Sequence, residues 1–291
     1  MKYQFISDNR SIHKVKKMCQ VLLVSTSGYY RWEKSPISHR ELENESIKKD
    51  ILSVYEKRKG RVGSPMITPE LREGNWPSIS ENRVARLMKA MGLKCKMVKR
   101  FKVTTDSNHS EPVAENLLNR NFTVSEPNKV WVTDITYVKV GAGWLYLTVF
   151  IDLFSRAVVG WALSESLSTD AVVKALLRGV WKRTVLKGLM IHSDRGCQYA
   201  SKLFRNHLND FGFIQSMSRK GNCWDNAVAE SFFHSFKNEL VYQTNFKNKK
   251  EAKREIFEYI EIYYNTERRH SANGRLSPVN FENLKMSEDM A

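Results

Sequence analysis

At residue 130 the periodicity of the chain changes, and that change limits the folds open to it. Upstream, apolar residues recur at three- and four-residue steps, the spacing that gives a helix one apolar face. Downstream, VWVTDITYV at 130–138 and WLYLTVFI at 144–151 are rich in β-branched and aromatic residues, separated by a glycine-bounded turn at 141–143. Such runs favour the pleated, half-buried surface of a strand. A third strand is predicted over 157–163, then a helix over 170–183, a strand over 188–191, a helix over 202–208 and a strand over 213–217. Helices over 225–240 and 249–265 follow. Hairpin-connected strands followed by alternating helices and strands call for an α/β architecture, a mixed five-stranded sheet with flanking helices.

The front of the chain reads as all-α. His13–Val24 has helical spacing, Ser25-Thr26-Ser27-Gly28 punctuates it, and Tyr29–Trp32 opens a second short helix before Pro36. Helix, tight glycine turn, helix is the outline of a helix-turn-helix, and equally of an ordinary helical hairpin. Glu41–Lys57 is a further amphipathic helix, and 65–77 reads as a loop around a short helix. Ser80 is a good N-cap for a helix over 81–91, with Gly92 as its stop. That helix sets Arg83, Arg86 and Lys89 on one side and Val84, Leu87 and Met88 on the other, as a groove-reading helix or a solvated charged face would. The run KCKMVKRFK at 94–102, which includes Lys99 and Arg100, packs five cations into nine residues. The expected organisation is a helical DNA-binding region over 1–92, a basic and polar linker over 93–127 that lies along DNA or is a plain tether, and an α/β core with a C-terminal helix and basic tail over 128–291.

Charge points to a polyanionic partner. The chain of 291 residues carries a formal net charge of +16. Lys and Arg release counterions when they meet phosphates, so a basic excess favours nucleic acid. Residues 1–127 hold 24 Lys and Arg against 14 Asp and Glu, and 128–291 hold 23 against 17, so the front carries more of the excess. Four scattered cysteines form no CxxC pair, so no zinc site is signalled. No charged-then-apolar leader and no long apolar run appears in these residues, which implies a cytoplasmic protein without a membrane partner.

Within the second half, three acids stand where ordinary packing does not favour them. Asp134 interrupts a strand, and a buried unpaired carboxylate is costly unless something compensates it. Asp194 ends IHSD, just past a short apolar strand, the edge of an α/β sheet where ligands gather. Glu230 lies on a helix with His234 and Lys237 at i+4 and i+7, on one stripe. Each alone reads equally as a turn, cap or surface residue. Together they supply hard oxygen ligands from two strands and a helix, the set that phosphodiester chemistry uses to hold two divalent ions. Asp225 reads as a structural acid at a helix start, Asp152 as undecided, His192 as a core imidazole or a substrate contact. Trp224 and Asn226 read as supports of a loop or as contacts to a flipped base. Arg268, Arg269 and His270 form a basic cluster that fits DNA backbone contact or simple solvation.

These motifs carry a resemblance. WVTDITYV at 131–138, HSDRGCQYAS at 192–201 and GNCWDNAVAESFFHSFKNEL at 221–240 resemble the DDE core of insertion-sequence transposases related to retroviral integrases. Thirty-five residues separate Asp194 from Glu230, and Lys237 follows seven after it, as in that pattern. YYRW at 29–32 and YYNTERRHSANGRLSPVNFE at 263–282 narrow the resemblance to the second-frame (OrfB) products of the bacterial IS3 family, over essentially the whole chain. The resemblance implies an RNase H-like fold, Asp134, Asp194 and Glu230 as catalytic metal ligands, and two Mg²⁺ or Mn²⁺ ions. It also implies cleavage at terminal inverted repeats with transfer of the 3′-hydroxyl to target DNA, self-association, and a first-frame (OrfA) product as partner or fusion on the bacterial nucleoid. The N-terminal zinc module of retroviral integrases is not matched, and RVGSP at 61–65 lacks the aromatic that relatives place before the glycine. The competing readings are a non-catalytic DNA-binding regulator and an RNase H-like nuclease without strand transfer.

Overall fold

The computed structural model describes residues 1–34, 38–95, 111–220 and 222–289. It divides into two compact units, Met1–Cys95 and Lys96–Ala291.

The first unit is helical: α1 Lys2–Asp8, α2 Val15–Val21, α3 Thr26–Lys34, α4 His39–Lys57, α5 Ser64–Glu73 and α6 Glu81–Ala90. Two small cores hold it. Ile6, Met18, Cys19 and Tyr29 close the first three helices, while Ile47, Ile51, Ile67, Leu71, Val84, Leu87 and Met88 close the next three. Ser80 caps α6 by accepting from the Arg83 N–H, as expected. The expected turn at 25–28 is instead the first turn of α3: Ser25 Oγ accepts from the Gly28 N–H at 3.0 Å. Gly28 is helical, and a Cβ there would push aside the Tyr3 and Ser25 hydroxyls that pack against it. The short helix expected within 65–77 is α5, which takes up most of that stretch, with Pro65 in its first turn and Pro69 inside it. Proline is well tolerated in a first helical turn, where its missing N–H leaves no bond unmade.

The second unit is a mixed five-stranded sheet, ordered β3-β2-β1-β4-β5. The strands are β1 Val130–Val140, β2 Gly143–Asp152, β3 Val158–Ser164, β4 Met190–Ser193 and β5 Ile214–Met217. The first three pair antiparallel, and β4 and β5 join parallel to β1. Helices α7 Thr169–Lys182, α8 Cys197–Ala200 and α9 Lys202–Phe211 bury Val172, Leu176, Tyr199, Phe204 and Leu208 in a core shared with Trp131 and Phe150. The other core holds α10 Ala227–Glu239, α11 Lys249–Phe257 and a π-helical continuation Glu258–Tyr264 over Val132, Val138 and Val149. With period-two alternation along β1, Trp131 and Val132 therefore serve opposite layers. Gly160 on β3 and Gly179 on α7 meet face to face, and a Cβ at Gly160 would collide with the Ala175 carbonyl, so the helix lies directly on the strand. This sheet order with helices in both layers is the RNase H-like arrangement expected.

Two expectations change here. Residues 111–127 do not run as a tether: Leu118 is buried in the sheet's core, and the Leu117 and Leu118 N–H groups donate to Ser216 Oγ at 3.0 and 3.2 Å. Their polar composition reflects hydrogen bonding to the body rather than exposure to solvent. The single helix expected over 249–265 is an α-helix that widens to a π-helix, placing Tyr259, Ile260, Tyr263 and Tyr264 in the core together. Its last residue side chain, Asn265, exchanges two 2.9 Å hydrogen bonds with the Val158 backbone and so completes the ladder where β3 begins. Helix α12, Pro278–Asp289, docks through Glu282, whose carboxylate accepts from both terminal nitrogens of Arg183 at 2.9 and 3.0 Å. No helix among the described residues is long and apolar enough to cross a membrane.

Candidate active site

Sheet register brings two of the three acids together. β1 and β4 run parallel with Val132 opposite His192. Two residues further along, just past the end of β4, Asp194 comes close enough to Asp134 to act on its charge. Asp134 shares the face of Val132 and Val138, which is the face α10 covers. Helix α10 buries Ala229, Phe232, Phe233 and Phe236 against that face, burial that stabilises by about 1.5–3 kcal/mol for each phenylalanine. The aromatic stripe fixes the rotation of the helix, and the partly exposed Glu230 and Lys237 take the side left over.

The electrostatics show Asp134 crowded by charges of its own sign. The Asp134 carboxyl is pushed well above the usual carboxylate range, first by burial and then by Asp194, with Glu230 adding to the effect; Lys237 and the Ile135 N–H pull the other way. Burial also raises Glu230. Lys237 is lowered by its own burial and supported by Asp134, with its ammonium 5.0 Å from the centre of the Tyr137 ring. Asp194 Oδ1 accepts from the Gly196 N–H at 2.9 Å, which holds the turn after β4. Buried Tyr199 lies close enough to be raised by both aspartates, and its hydroxyl meets Thr133 Oγ1 at 3.0 Å. Among the described residues no three His, Cys, Asp or Glu side chains are gathered tightly enough to hold an ion as they stand. The donor set nevertheless fits a hard divalent cation: all oxygen, partly buried, and drawn from three acids.

Behind this pair lies a second polar cluster that the sequence does not announce. Asp225 is fully buried. It accepts from Arg219 through the backbone N–H, Nε and Nη2 at 3.0, 2.9 and 2.8 Å. It also accepts from Arg120 Nε at 2.8 Å and Asn116 Nδ2 at 2.9 Å. Hydrogen bonds from Arg219 above all hold its carboxyl far below the usual range. Asp225 is structural, as expected, though through two arginines more than through a helix dipole. His192 is a core imidazole, between Ser216 Oγ at 2.8 Å and Ser218 Oγ at 3.2 Å, and burial lowers it to about 4. Asn226 is buried and donates to the Thr133 carbonyl at 3.3 Å, whereas Trp224 is 68% exposed. Asp152 is buried, accepts from the Asn128 and Phe154 N–H groups at 2.8 and 3.0 Å, and is raised by burial to about 6.

The candidate DNA contacts divide. Arg86 and Lys89 are exposed on α6. Arg83 instead turns inward, donating to Glu43 at 2.8 Å and to Asn44 Oδ1, so it fastens α6 to α4. Arg268 is likewise an internal strut, with Nε and Nη2 on the Glu239 carboxylate at 2.8–3.0 Å and Nη2 also on Ser235. In both, a half-buried acid nearby lowers the desolvation cost of a partly buried guanidinium. Arg269 stays partly exposed. Lys99 and Arg100 lie outside the described residues.

Comparison with known proteins places this geometry in a family. The integrase core domain matches residues 124–223, a second integrase core model matches 230–286, and an HTH-like domain matches 41–101. That last match covers α4–α6, so the helix-turn-helix outline read at 13–32 lies outside it. Transposase InsF for insertion sequence IS3A of Escherichia coli (strain K12) is 39% identical over 99% of this chain and 100% of its own. An IS600 insertion-element protein of 31 kDa from Shigella sonnei is 42% identical over 91% of this chain and 97% of its own. A solved catalytic core domain of BIV integrase is 17% identical, covering 56% of this chain and 99% of that one with a TM-score of 0.42.

Proposed function

Since the chain belongs to the IS3 family of insertion-sequence transposases, we propose that Asp134, Asp194 and Glu230 are its catalytic acids. In this reading the protein cuts DNA at the ends of its element and joins the 3′-hydroxyl to target DNA, as a DDE polynucleotidyl transferase. The observation that carries the reading is the Asp134 carboxyl, raised by burial and then by the nearby Asp194, with Glu230 close enough to add to the effect. Two divalent ions, Mg²⁺ or Mn²⁺, held by the three carboxylates would supply the charge that acidifies a water or 3′-hydroxyl and steadies the leaving oxygen.

The protein's own residues do the placing. Asp134 sits on β1 and Asp194 in the hydrogen-bonded turn just past the adjacent β4, so little reorganisation is left for the moment of reaction. Lys237, on the Glu230 stripe, offers a cation to a phosphate oxygen of the bound strand. Arg86 and Lys89 on α6 of the HTH-like region contact the phosphates of element ends, and Arg269 those near the core; Lys99 and Arg100 in the basic run are assigned the same role. Residues 1–92 serve as the DNA-binding region and 128–291 as the catalytic core. The site of action is the nucleoid in the cytoplasm, with self-association and a first-frame product completing the assembly.

The test is cleavage and joining of element-end DNA by the full chain, or by its first-frame fusion, in Mg²⁺ and in EDTA. Chelation is expected to abolish both steps. Undiminished activity in EDTA would remove the metal-ligand role of the acids.

A further inference from the structure

Trp224 is an exposed indole on an unusually well-anchored turn. It belongs to the 3₁₀ turn Cys223–Asn226 that leads directly into α10 and Glu230. The residue after it, Asp225, is fully buried under five hydrogen bonds from Asn116, Arg120 and Arg219. The next, Asn226, is 5% exposed and tied to the Thr133 carbonyl, one residue before Asp134. Just before it, Asn222 Oδ1 accepts from Arg120 Nη2 at 2.8 Å. The turn is therefore fastened on both sides of the tryptophan, while the indole itself is 68% exposed and meets no ring or hydrogen-bond partner among the described residues.

Packing does not account for that placement. Other exposed aromatic residues occur, such as Trp181 at 77% on α7, whose helix covers the opposite layer of the sheet from Glu230. Trp224 differs in its surroundings. The two guanidiniums that hold Asp225 keep 44% and 48% of their side-chain surface open. An exposed ring on a turn whose neighbouring acid gathers two partly open guanidiniums has the elements that bind single-stranded nucleic acid: stacking for a base and positive charge for its backbone. Six residues of helical turn separate Trp224 from Glu230, about 10 Å along the axis. That is about three stacked nucleotides.

We propose that Trp224, on the turn that Arg120 and Arg219 fasten through Asp225, holds an unpaired base of the DNA end within a few nucleotides of the reacting phosphate. The base must be unpaired, because inside a duplex its faces are already covered by neighbours and an indole reaches only a frayed or flipped one. Stacking reads no hydrogen-bonding edge, so the site tolerates any base and favours an end over duplex interior. Asp225 acts as a positioning residue: it aims the two guanidiniums and keeps the turn rigid, so that little ordering is left to occur when DNA arrives. The assignment rests on the transposase reading for its DNA, though its binding step needs no chemistry.

The test uses the full chain and element-end duplexes with 2-aminopurine at successive positions from the terminus, in EDTA so that no cut is made. Wild type is expected to quench one terminal position, and W224A to leave it bright. W224A is also expected to bind frayed ends roughly 5- to 100-fold more weakly, the range of one base–aromatic stack, with binding to end-less duplex and the melting temperature unchanged. W224F should retain most of the quench. D134N should quench as wild type does; if D134N still cleaves in Mg²⁺, the catalytic reading fails while the stacking result stands. Quenching by W224A equal to wild type, or an equal loss of affinity for frayed and end-less duplex, would overturn the proposal.

Discussion

Asp134 and Asp225 are carboxylates of one α/β unit, and their surroundings treat them in opposite ways. Asp225 is enclosed by two arginines and an asparagine, and its proton is lost far more easily than usual. Asp134 is half-buried near Asp194 and Glu230, with Lys237 pulling the other way, and its proton is held more tightly than usual. The contrast separates charge used to hold the fold from charge kept for a partner. A neutralised acid adds to stability, whereas an acid crowded by others of its sign subtracts from it. The arginines divide the same way. Arg83 and Arg268 are engaged with acids of their own unit, while Arg86 points to solvent.

The sharpest way to break the comparison is to neutralise each acid in turn. D134N, D194N and E230Q are each expected to lower strand transfer on pre-cut ends by orders of magnitude, because several kcal/mol of transition-state stabilisation is lost and about 1.4 kcal/mol is tenfold in rate. The double variant D134N/D194N should be little worse than either single one, since the acids act as a unit. Melting temperature without metal should hold or rise, because repulsion is removed. A clear fall in stability, or near-normal transfer, would assign the altered residue to the fold instead.

D225N should show the reverse. Loss of the charge leaves two guanidiniums facing an amide, and the cost in unfolding free energy is expected at about 1–3 kcal/mol, discounted because the arginines are half exposed. Denaturant midpoints of the purified variant measure it. A variant as stable as wild type would show that the clamp contributes nothing to the fold.

Acid titration sharpens the contrast further. A raised carboxyl costs stability at neutral pH, and the cost fades as pH falls through its folded value toward about 4. A depressed carboxyl contributes stability that persists down to about pH 4 and is lost only below it. The advantage of D134N over wild type should therefore shrink between neutral pH and about 4, while the deficit of D225N should persist to about 4 and shrink only beneath it. Thermal melts of the three proteins across that range decide it, and coincident windows would mean the two acids share one environment.

The smallest effect concerns the arginines. R86A and K89A should each leave stability within about 0.5 kcal/mol of wild type and lower the salt slope of DNA binding by about one phosphate contact. R83A should instead lower the stability of the helical unit, with a salt slope close to that of wild type. Equal slopes for all three would take α6 off the DNA.

Much of this was legible in the residues alone. The apolar runs of β1 and β2, the N-cap Ser80 and the stripe that orients Glu230 are local patterns, written in spacing and residue type, and local physics is enough to read them. Asp134 stood out for the same reason, since an Asp inside a strand violates local preference, whereas Asp194 and Glu230 gained weight only in combination with it. What stayed hidden depends on partners remote in sequence. Arg120 meets Asp225 across 105 positions and Arg268 meets Glu239 across 29. No periodicity encodes such pairings, because a guanidinium looks alike in sequence whether its partner is a carboxylate of its own fold or a phosphate. The folding of 111–127 onto Ser216 was hidden likewise, since polar residues that bond a neighbouring strand have the composition of a loop. Residue type and spacing determined where charge was placed along the chain; only the tertiary structure decided which charges cancel, because cancellation depends on distance in space.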